Sequence, residues 1–234
     1  MLGLISSVLE EGKVLVDRIR KKRTLSGRTL YRGTIGLRET AYIISGMGKT
    51  NAAHAATILI EEFSPDIIIL FGIGGAYPSA GLEVGDVAVA EKEVYGDEGV
   101  QTGYGFHGTE FVGIPLLRKG RKTFFNEFLL DKRLLKRVLK IGGRIAPIKS
   151  GTFITTSTCT GTRRRAVELK KKYHAICENM EGAAVAQICA LYGVPMLEIR
   201  GISNIVEDRD RDKWNIPLAA ENCQKAVMEI LKIV

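Results

Sequence analysis

The chain has 234 residues, of which 45% are hydrophobic and 26% are charged, and its formal net charge is +8 at pH 7. A chain of this length and composition can bury a continuous core, which excludes an intrinsically disordered protein. The basic residues are scattered except at Arg18–Arg23 and Arg163–Arg165, and neither run is interleaved with aromatic residues. The charge therefore does not indicate a nucleic-acid partner.

No apolar run approaches the ~20 residues that a membrane-spanning helix needs. The first residues also lack a basic leader and a cleavage site, so we expect a cytoplasmic protein without a membrane partner. The spacing of Cys159, Cys177, Cys189 and Cys223 matches neither a zinc site nor a redox pair. We therefore expect reduced and mostly packed thiols, no metal and no cofactor.

Short apolar runs bounded by glycine and proline alternate with amphipathic patterns along the chain. The runs predict strands and the patterns predict helices. In chain order the predicted elements are strands at Leu2–Ser7 and Ala41–Ser45, a helix at Asn51–Phe63, strands at Ile67–Phe71 and Val84–Val94, a helix at Lys132–Leu139, a strand at Ile148–Ile154, helices at Thr162–Tyr173 and Glu181–Tyr192, a strand at Pro195–Ser203 and a helix at Pro217–Ile233.

This alternation predicts an α/β fold formed by a single domain over residues 1–234. We expect three α/β/α layers around a central sheet that is mixed, largely parallel and twisted. The segment Tyr95–Asn126 has no clear periodicity, and a segment of that length is typical of a functional site or a subunit contact.

Two glycine-rich strings follow predicted strands. Ser45–Thr50 (SGMGKT) ends like a P-loop, but Ile43 stands where a P-loop needs its first glycine, which argues against a nucleoside triphosphate site. The string instead predicts a turn that leads into a helix N-terminus. Gly74 and Gly75 are candidates for close approach of a ligand to the backbone, although a packing turn gives the same pattern.

Two polar strings occur near the C-terminal end of the sequence. Glu178–Ala184 (ENMEGAA) leaves a short strand and opens an apolar helix, where a carboxylate can also serve as a helix cap. Glu198–Asn204 (EIRGISN) is a strand that ends in polar groups, which is where open α/β sheets place binding residues. Together the two strings predict a ligand site at the ends of neighbouring strands.

The strings ISGMGKTNAAHAATILI, PDIIILFGIGGAYPSAGLEVGDVAVA and NMEGAAVAQICALYGVPMLEIRGISN together resemble the nucleoside phosphorylase and nucleosidase superfamily, which includes the methylthioadenosine/S-adenosylhomocysteine nucleosidases. Within it, VYGDEGV and ISNIVEDRDRDKW are most similar to the futalosine hydrolases. The resemblance implies a nucleoside phosphorylase-like fold, a purine nucleoside and water as partners, and a homodimer or higher homo-oligomer.

The resemblance also implies roles for the acidic and basic residues. Glu181 would hold the ribose hydroxyls, with Met180 packed on the sugar, and would stabilise an oxocarbenium-like transition state. A water-activating carboxylate is implied at Glu11, with Glu10 as the open alternative. Arg200 matches an anion or water ligand, and a single guanidinium favours water over phosphate as the nucleophile.

Four more positions are implied to surround the purine. Asn204 stands where adenine-releasing nucleosidases have aspartic acid, and its amide suits O6 and N7 of hypoxanthine. Phe153 and Ile154 match the family's stacking aromatic and its backbone contact to the base, while Trp214 matches an aromatic on a mobile loop. Cations for the carboxylate tail of futalosine are sought in the irregular segment of this chain or of a neighbouring subunit, at His107, Arg118, Lys119 and Arg121.

The resemblance thus implies hydrolysis of the N-glycosidic bond of futalosine, with release of hypoxanthine, as in the alternative menaquinone pathway. One alternative is a nucleosidase that releases adenine from methylthioadenosine, S-adenosylhomocysteine or aminofutalosine, and Asn204 argues against it. Another is a catalytically silent nucleoside-binding protein. The combination of Glu11, Glu181 and Arg200 argues against that alternative, because a binding protein needs no base to activate water.

Overall fold

The computed structural model describes residues 1–19, 21–141 and 147–234, so Arg20 of the basic run Arg18–Arg23 lies outside the described residues. The strands in the described part of the chain are β1 (Leu2–Ser6), β2 (Lys21–Leu25), β3 (Arg28–Ile35), β4 (Arg38–Ile44), β5 (Ile67–Ala76), β6 (Val87–Tyr95), β7 (Gly99–Thr102), β8 (Gly105–Gly108), β9 (Leu117–Lys119), β10 (Lys122–Phe124), β11 (Glu127–Leu129), β12 (Ile148–Thr155), β13 (Ala175–Asn179) and β14 (Met196–Ile205). The helices there are α1 (Lys13–Val16), α2 (Lys49–Phe63), α3 (Thr109–Val112), α4 (Lys132–Ile141), α5 (Arg163–Tyr173), α6 (Gly182–Tyr192) and α7 (Ile216–Ile230).

The central sheet has ten strands in the order β11-β6-β12-β13-β5-β1-β4-β3-β2, and β14 pairs with both β5 and β6. β1 runs parallel to β4 and β5, and β14 runs parallel to β5. Because β14 also joins β6 in the antiparallel direction, β6, β12, β13, β5 and β14 form a closed ring of pairings. The prediction of a mixed sheet is confirmed, and the ring draws the ends of its strands together at one rim.

Helices cover both faces of the sheet. On one face α2, α5 and α6 pack against a cluster of buried apolar side chains, and on the other face α1, α4 and α7 pack against a second cluster. The three layers of the predicted α/β/α arrangement are thereby confirmed. In the described part of the chain, no helix combines the length and the apolar character needed to cross a membrane.

Small residues allow α2 to lie close to the sheet. Its buried face includes Ala52, Ala55, Ala56 and Leu59, a helical spacing of three and four positions. The helix ends at Ser64, which has a left-handed φ of 45° and whose N–H donates to the carbonyl of Ile60. The turn before α2 lies beside the end of β1, where the N–H of Gly46 donates to the carbonyl of Ser7 (2.9 Å).

Two stretches differ from the sequence prediction. No element was predicted between Leu2–Ser7 and Ala41–Ser45, where the structure has α1 and the β2–β3 hairpin. The irregular segment Tyr95–Asn126 contains α3 and the hairpins β7–β8 and β9–β10, whose strands have only three or four residues. Strands this short, or with as many basic residues as β2 and β3, lack the apolar runs on which the prediction depended.

Candidate active site

A cavity of about 330 Å³ opens where β1, β5, β13 and β14 end. It brings together eight of the predicted site residues, namely Glu11, Gly74, Gly75, Met180, Glu181, Arg200, Asn204 and Trp214. The other residues that line it are Ser7, Val8, Met47, Ile73, Cys159, Thr160, Glu178, Asn179, Ser203, Val206 and Arg209. Residues from both ends of the chain thus share one cavity.

Glu11 lies in the turn after β1 and is only 5% exposed. Three backbone N–H groups donate to its carboxylate, those of Ser7 (2.9 Å) and Val8 (3.2 Å) to Oε2 and that of Ile73 (2.9 Å) to Oε1. Burial raises the pKa of Glu11, and the Arg200 guanidinium opposes this rise. The result is a fixed carboxylate with increased proton affinity, as a general base requires.

The turn after β1 separates the two glutamates between which the sequence could not choose. Glu10 is exposed and does not line the cavity, and its backbone carbonyl accepts a hydrogen bond from Gln224. The backbone at Gly72 in β5 makes room for Glu11, because a Cβ at Gly72 would overlap with the Glu11 carboxylate. The geometry therefore favours Glu11 as the acidic group of this turn.

Glu181 precedes α6, and its side chain makes no capping hydrogen bond to the helix. Instead its Oε1 accepts from the backbone N–H of Gly48 (2.9 Å), in the glycine-rich turn before α2, and its Oε2 accepts from Arg200 (3.2 Å). Arg200 also donates through Nε to Glu198 (2.9 Å). Burial would lower the pKa of Arg200, but Glu198 and Glu181 raise it, so the guanidinium stays charged.

The amide of Asn204 has a defined orientation. Its Oδ1 accepts from the Ser203 hydroxyl (2.9 Å), and one N–H of its Nδ2 donates to the carbonyl of Ile205 (3.1 Å). The reversed amide would put Oδ1 against that carbonyl, where two acceptors would repel. The second N–H of Asn204 is thus left for a ligand in the cavity.

The remaining predicted residues of the cavity form its floor and one side. Gly75 pairs with Glu178 of β13 on one side and with Asn204 of β14 on the other, so the floor between these side chains has no Cβ. The Met180 sulfur lies 3.3 Å from that of Cys159. Trp214 lies in the loop after β14, with the Arg209 guanidinium 4.8 Å from its ring centroid.

The structure does not bring Phe153 and Ile154 to the cavity. Both are fully buried in β12, in the core beneath α5 and α6. Their contacts with the purine stay a prediction, and the contact predicted for Ile154 concerned its backbone rather than its side chain. The strand continues to Thr155 before the chain turns toward the cavity, so the residues that line the cavity from this side are Cys159 and Thr160.

Glu178 is a third cavity carboxylate, and the sequence prediction gave it no role. Its Oε1 accepts from the backbone N–H of Thr160 (2.8 Å), and its Oε2 accepts from the hydroxyls of Tyr77 (2.9 Å) and Thr160. The signal was present in its position near the end of β13, three residues before Glu181. The cations that were sought for a substrate tail, namely His107, Arg118, Lys119 and Arg121, do not line the cavity.

Known proteins resemble this chain over most of its length. The model of the phosphorylase superfamily matches residues 2–233. The chain is 33% identical over 198 residues to futalosine hydrolase of Thermus thermophilus, which covers 84% of each chain. It is 28% identical over 240 residues to 5′-methylthioadenosine/S-adenosylhomocysteine nucleosidase of Staphylococcus haemolyticus, with 100% of each chain covered.

The solved structures include a nucleosidase of the same name from Neisseria meningitidis, in complex with methylthio-immucillin-A. It has a TM-score of 0.84 and 25% identity, and the match covers 100% of this chain and 99% of that one. The fold and the cavity thus define an α/β protein of nucleoside phosphorylase-like architecture. The chain belongs to the phosphorylase superfamily.

Proposed function

We propose that the chain hydrolyses the N-glycosidic bond of a 6-oxopurine nucleoside, futalosine, and releases hypoxanthine. The observation that carries the proposal is the shared cavity of Glu11, Glu181 and Asn204. These residues supply a base for water, an anion for the sugar and an amide for the purine. Among the relatives, the futalosine hydrolase of Thermus thermophilus supports this substrate at 33% identity.

In the proposed reaction Glu181 accepts hydrogen bonds from the ribose hydroxyls, held in place by Gly48 and Arg200. As the bond from the anomeric carbon to the purine nitrogen breaks, the electron pair leaves with the purine and the sugar becomes cationic. Glu11 takes a proton from water while the water oxygen bonds to the anomeric carbon. The carboxylates of Glu11, Glu178 and Glu181 line the cavity and stabilise the developing positive charge.

The end of the cavity that contains Asn204 and Glu178 favours a 6-oxopurine. The free N–H of Asn204 can donate to O6 and N7, and the leaving purine carries its negative charge on this edge. Glu178, on the other side of Gly75, presents an acceptor for N1–H. A 6-aminopurine has a lone pair at N1 instead of a hydrogen, and this lone pair would face the Glu178 carboxylate.

Water is the nucleophile that this cavity favours over phosphate. Arg200 already donates through Nε to Glu198, through Nη1 to Glu181 and the carbonyl of Ile73, and through Nη2 to Asn179 Oδ1 (3.4 Å). A phosphate dianion would therefore meet a guanidinium that is already paired, together with several carboxylates. Desolvating such an anion without free donors is unfavourable.

The second candidate function is release of adenine from methylthioadenosine or S-adenosylhomocysteine. It is supported by the nucleosidase relative that is 28% identical over the full length of both chains. Asn204 argues against it, since an amide cannot supply a proton to departing adenine.

The test is chromatographic detection of free base after the purified chain is incubated with futalosine, methylthioadenosine or S-adenosylhomocysteine, each with and without phosphate. We expect hypoxanthine from futalosine at the same rate in both conditions. Adenine release alone would favour the second candidate, and release that requires phosphate would reject hydrolysis. Tight nucleoside binding by calorimetry without any turnover would instead favour the silent binding protein.

A further inference from the structure

Two more glutamates lie side by side behind the cavity. Glu93 of β6 and Glu198 of β14 are both 0% exposed, and the fold brings their carboxyl groups close together. A Cβ at Gly182 would overlap with oxygens of both groups, so the two carboxyls converge on the first residue of α6. Neither lines the cavity, and the proposed reaction uses neither.

The donors around this pair do not satisfy two ionised carboxylates. Glu93 accepts from the Thr155 hydroxyl (2.7 Å) and from Asn179 Nδ2 (2.6 Å), and Glu198 Oε1 accepts from Arg200 Nε (2.9 Å). Glu198 Oε2 is buried and has no donor among the described residues. A single proton held between the two carboxyls would give Oε2 its hydrogen bond and remove the repulsion between two buried negative charges.

The charges of the buried side chains also favour a single proton shared by Glu93 and Glu198. The buried charged side chains in the described part of the chain are Glu11, Glu93, Glu178, Glu181, Glu198 and Arg200. Burial raises the pKa of Glu93 well above its ordinary value, and the adjacent Glu198 raises it further. Burial raises the pKa of Glu198 too, but there the Arg200 guanidinium opposes the rise. Glu93 is therefore the partner that keeps the proton.

We propose that Glu93 is a neutral carboxylic acid that donates a hydrogen bond to Glu198 Oε2, and that this bond positions Arg200 and thereby Glu181. Asn179 provides a second connection, since it donates to Glu93 and its Oδ1 accepts from the N–H groups of Glu181 (2.9 Å) and Gly182 (2.7 Å). Glu93 is a positioning residue because it does not touch the cavity. Its effect on turnover rests on the proposed function, whereas its protonation does not.

Other titratable groups face the pair from the surrounding elements. They are Arg200 on β14, Cys177 on β13, Tyr95 on β6 and Glu181 at the start of α6. Burial raises the pKa values of the Cys177 thiol and the Tyr95 hydroxyl, so both remain neutral around neutral pH. A change in this network at alkaline pH is therefore assigned to loss of the proton of Glu93.

Infrared spectroscopy at mildly alkaline pH tests the proton directly. We expect the wild-type chain to show the carbonyl band of a protonated carboxylic acid and Glu93→Gln to lack it. Glu91→Gln is the matched control, because Glu91 lies in the same strand and is exposed. The assignment is overturned if the wild-type chain has no such band or if Glu93→Gln retains it.

Turnover tests the positioning role, with the purine nucleoside that the wild-type chain cleaves fastest. Glutamine keeps a donor for Glu198, so we expect Glu93→Gln to retain kcat within a few-fold and to lose the alkaline decline of the wild type. Glu93→Leu leaves Oε2 unpaired, so we expect kcat to fall at least about tenfold, with a smaller change in KM.

Equal kcat values for the Gln and Leu variants, with native circular dichroism for both, would contradict the positioning role. If Glu93→Leu does not fold, the pH profile of Glu93→Gln decides the question, because an unchanged alkaline decline would also contradict it. If no purine nucleoside is cleaved, the proposed function fails, and the infrared band still decides the protonation of Glu93.

Discussion

In the proposed reaction Glu181 has two tasks, because it binds the sugar hydroxyls and supplies negative charge as the sugar becomes cationic. Glu181→Gln keeps the shape of the side chain but removes the negative charge. We expect kcat/KM to fall by about 10²-fold or more, since an interaction that strengthens in the transition state is lost. Steady-state kinetics measures this, with exposed Glu62→Gln on α2 as the control. A decrease of less than about tenfold would count against the ribose-binding role.

The raised pKa of Glu11 predicts that kcat/KM of the proposed reaction falls at acid pH. Because burial raises its pKa, the ionised base forms only above the range near 4.3 where an ordinary glutamate titrates. We expect kcat/KM to fall as the pH decreases through this raised pKa, and Glu11→Gln to be poorly active at every pH. A wild-type limb at the ordinary glutamate pKa, or an active Glu11→Gln, would speak against this base.

We expect Asn204 to determine the preference between hypoxanthine-releasing and adenine-releasing substrates. Asn204→Asp replaces the donating amide with a carboxyl group. As a carboxylate this group repels O6, and when protonated it can give its proton to a departing adenine. We expect the ratio of kcat/KM for adenine-releasing over hypoxanthine-releasing substrates to rise by at least about tenfold. Parallel assays with futalosine and methylthioadenosine give this ratio. An unchanged ratio would mean that another residue reads the purine edge.

For single residues, the sequence identified members of motifs but not how far each lies from the cavity. Glu181 and Asn204 belong to strings at the ends of strands, and such positions can be predicted. Glu11 was implied only by the resemblance, with Glu10 as the open alternative. Whether Phe153 reaches a ligand depends on the pairing of β12 with β6 and β13, which is a tertiary property. Glu93 resembled an ordinary strand residue, and Glu198 was only the first residue of a polar string, because the fold alone brings their carboxyl groups together.

Among the elements, the contact of β14 with α7 leaves no space for a side chain at Gly201. A Cβ there would overlap with the backbone carbonyl of Ala219 in α7, which cannot rotate away as a side chain can. We expect Gly201→Ala to lower the free energy of unfolding by about 1–3 kcal/mol, as overpacked cores do. Urea denaturation measures this. The control is Gly103→Ala, whose added Cβ meets no atom, and equal stability of both variants would contradict the close packing.

The helices were more predictable than the strands at the edge of the sheet. Thr162 was predicted as the first residue of a helix, and its hydroxyl accepts from the N–H of Arg165 as the N-cap of α5. The β2–β3 hairpin escaped prediction because its residues include several lysines and arginines. Such strands are stabilised by their neighbours in the sheet more than by their own composition.

For the whole molecule, a protonated Glu93 couples stability to pH. Because burial raises its pKa, folding takes up a proton, and the free energy of unfolding falls as the pH rises from the ordinary glutamate range toward the raised pKa. One proton corresponds to about 1.4 kcal/mol per pH unit. We expect Glu93→Gln to lack this slope, so that its stability relative to wild type increases with pH. Urea titrations at several pH values measure this, and a constant difference would contradict it.

The layered architecture followed from the alternation of strands and helices, but the closed ring did not. Ring closure depends on β14, which leaves the main strand order to pair with both β5 and β6. Nothing in the apolar run at residues 195–203 distinguishes a strand with two such partners from an ordinary buried strand. The ring, together with the pairing of β1 with β5, explains why residues distant in sequence, such as Glu11 and Asn204, line one cavity.

Cys159 gives the cavity a chemical reporter that needs no enzymatic turnover. Its thiol is exposed at the cavity, whereas Cys177, Cys189 and Cys223 are buried. An alkylating reagent added to the native protein would therefore label one position, slowly at neutral pH because burial and Glu178 raise the pKa of this thiol. A nucleoside in the cavity would shield the sulfur, so the labelling rate at increasing nucleoside concentration yields occupancy even for compounds that are never cleaved.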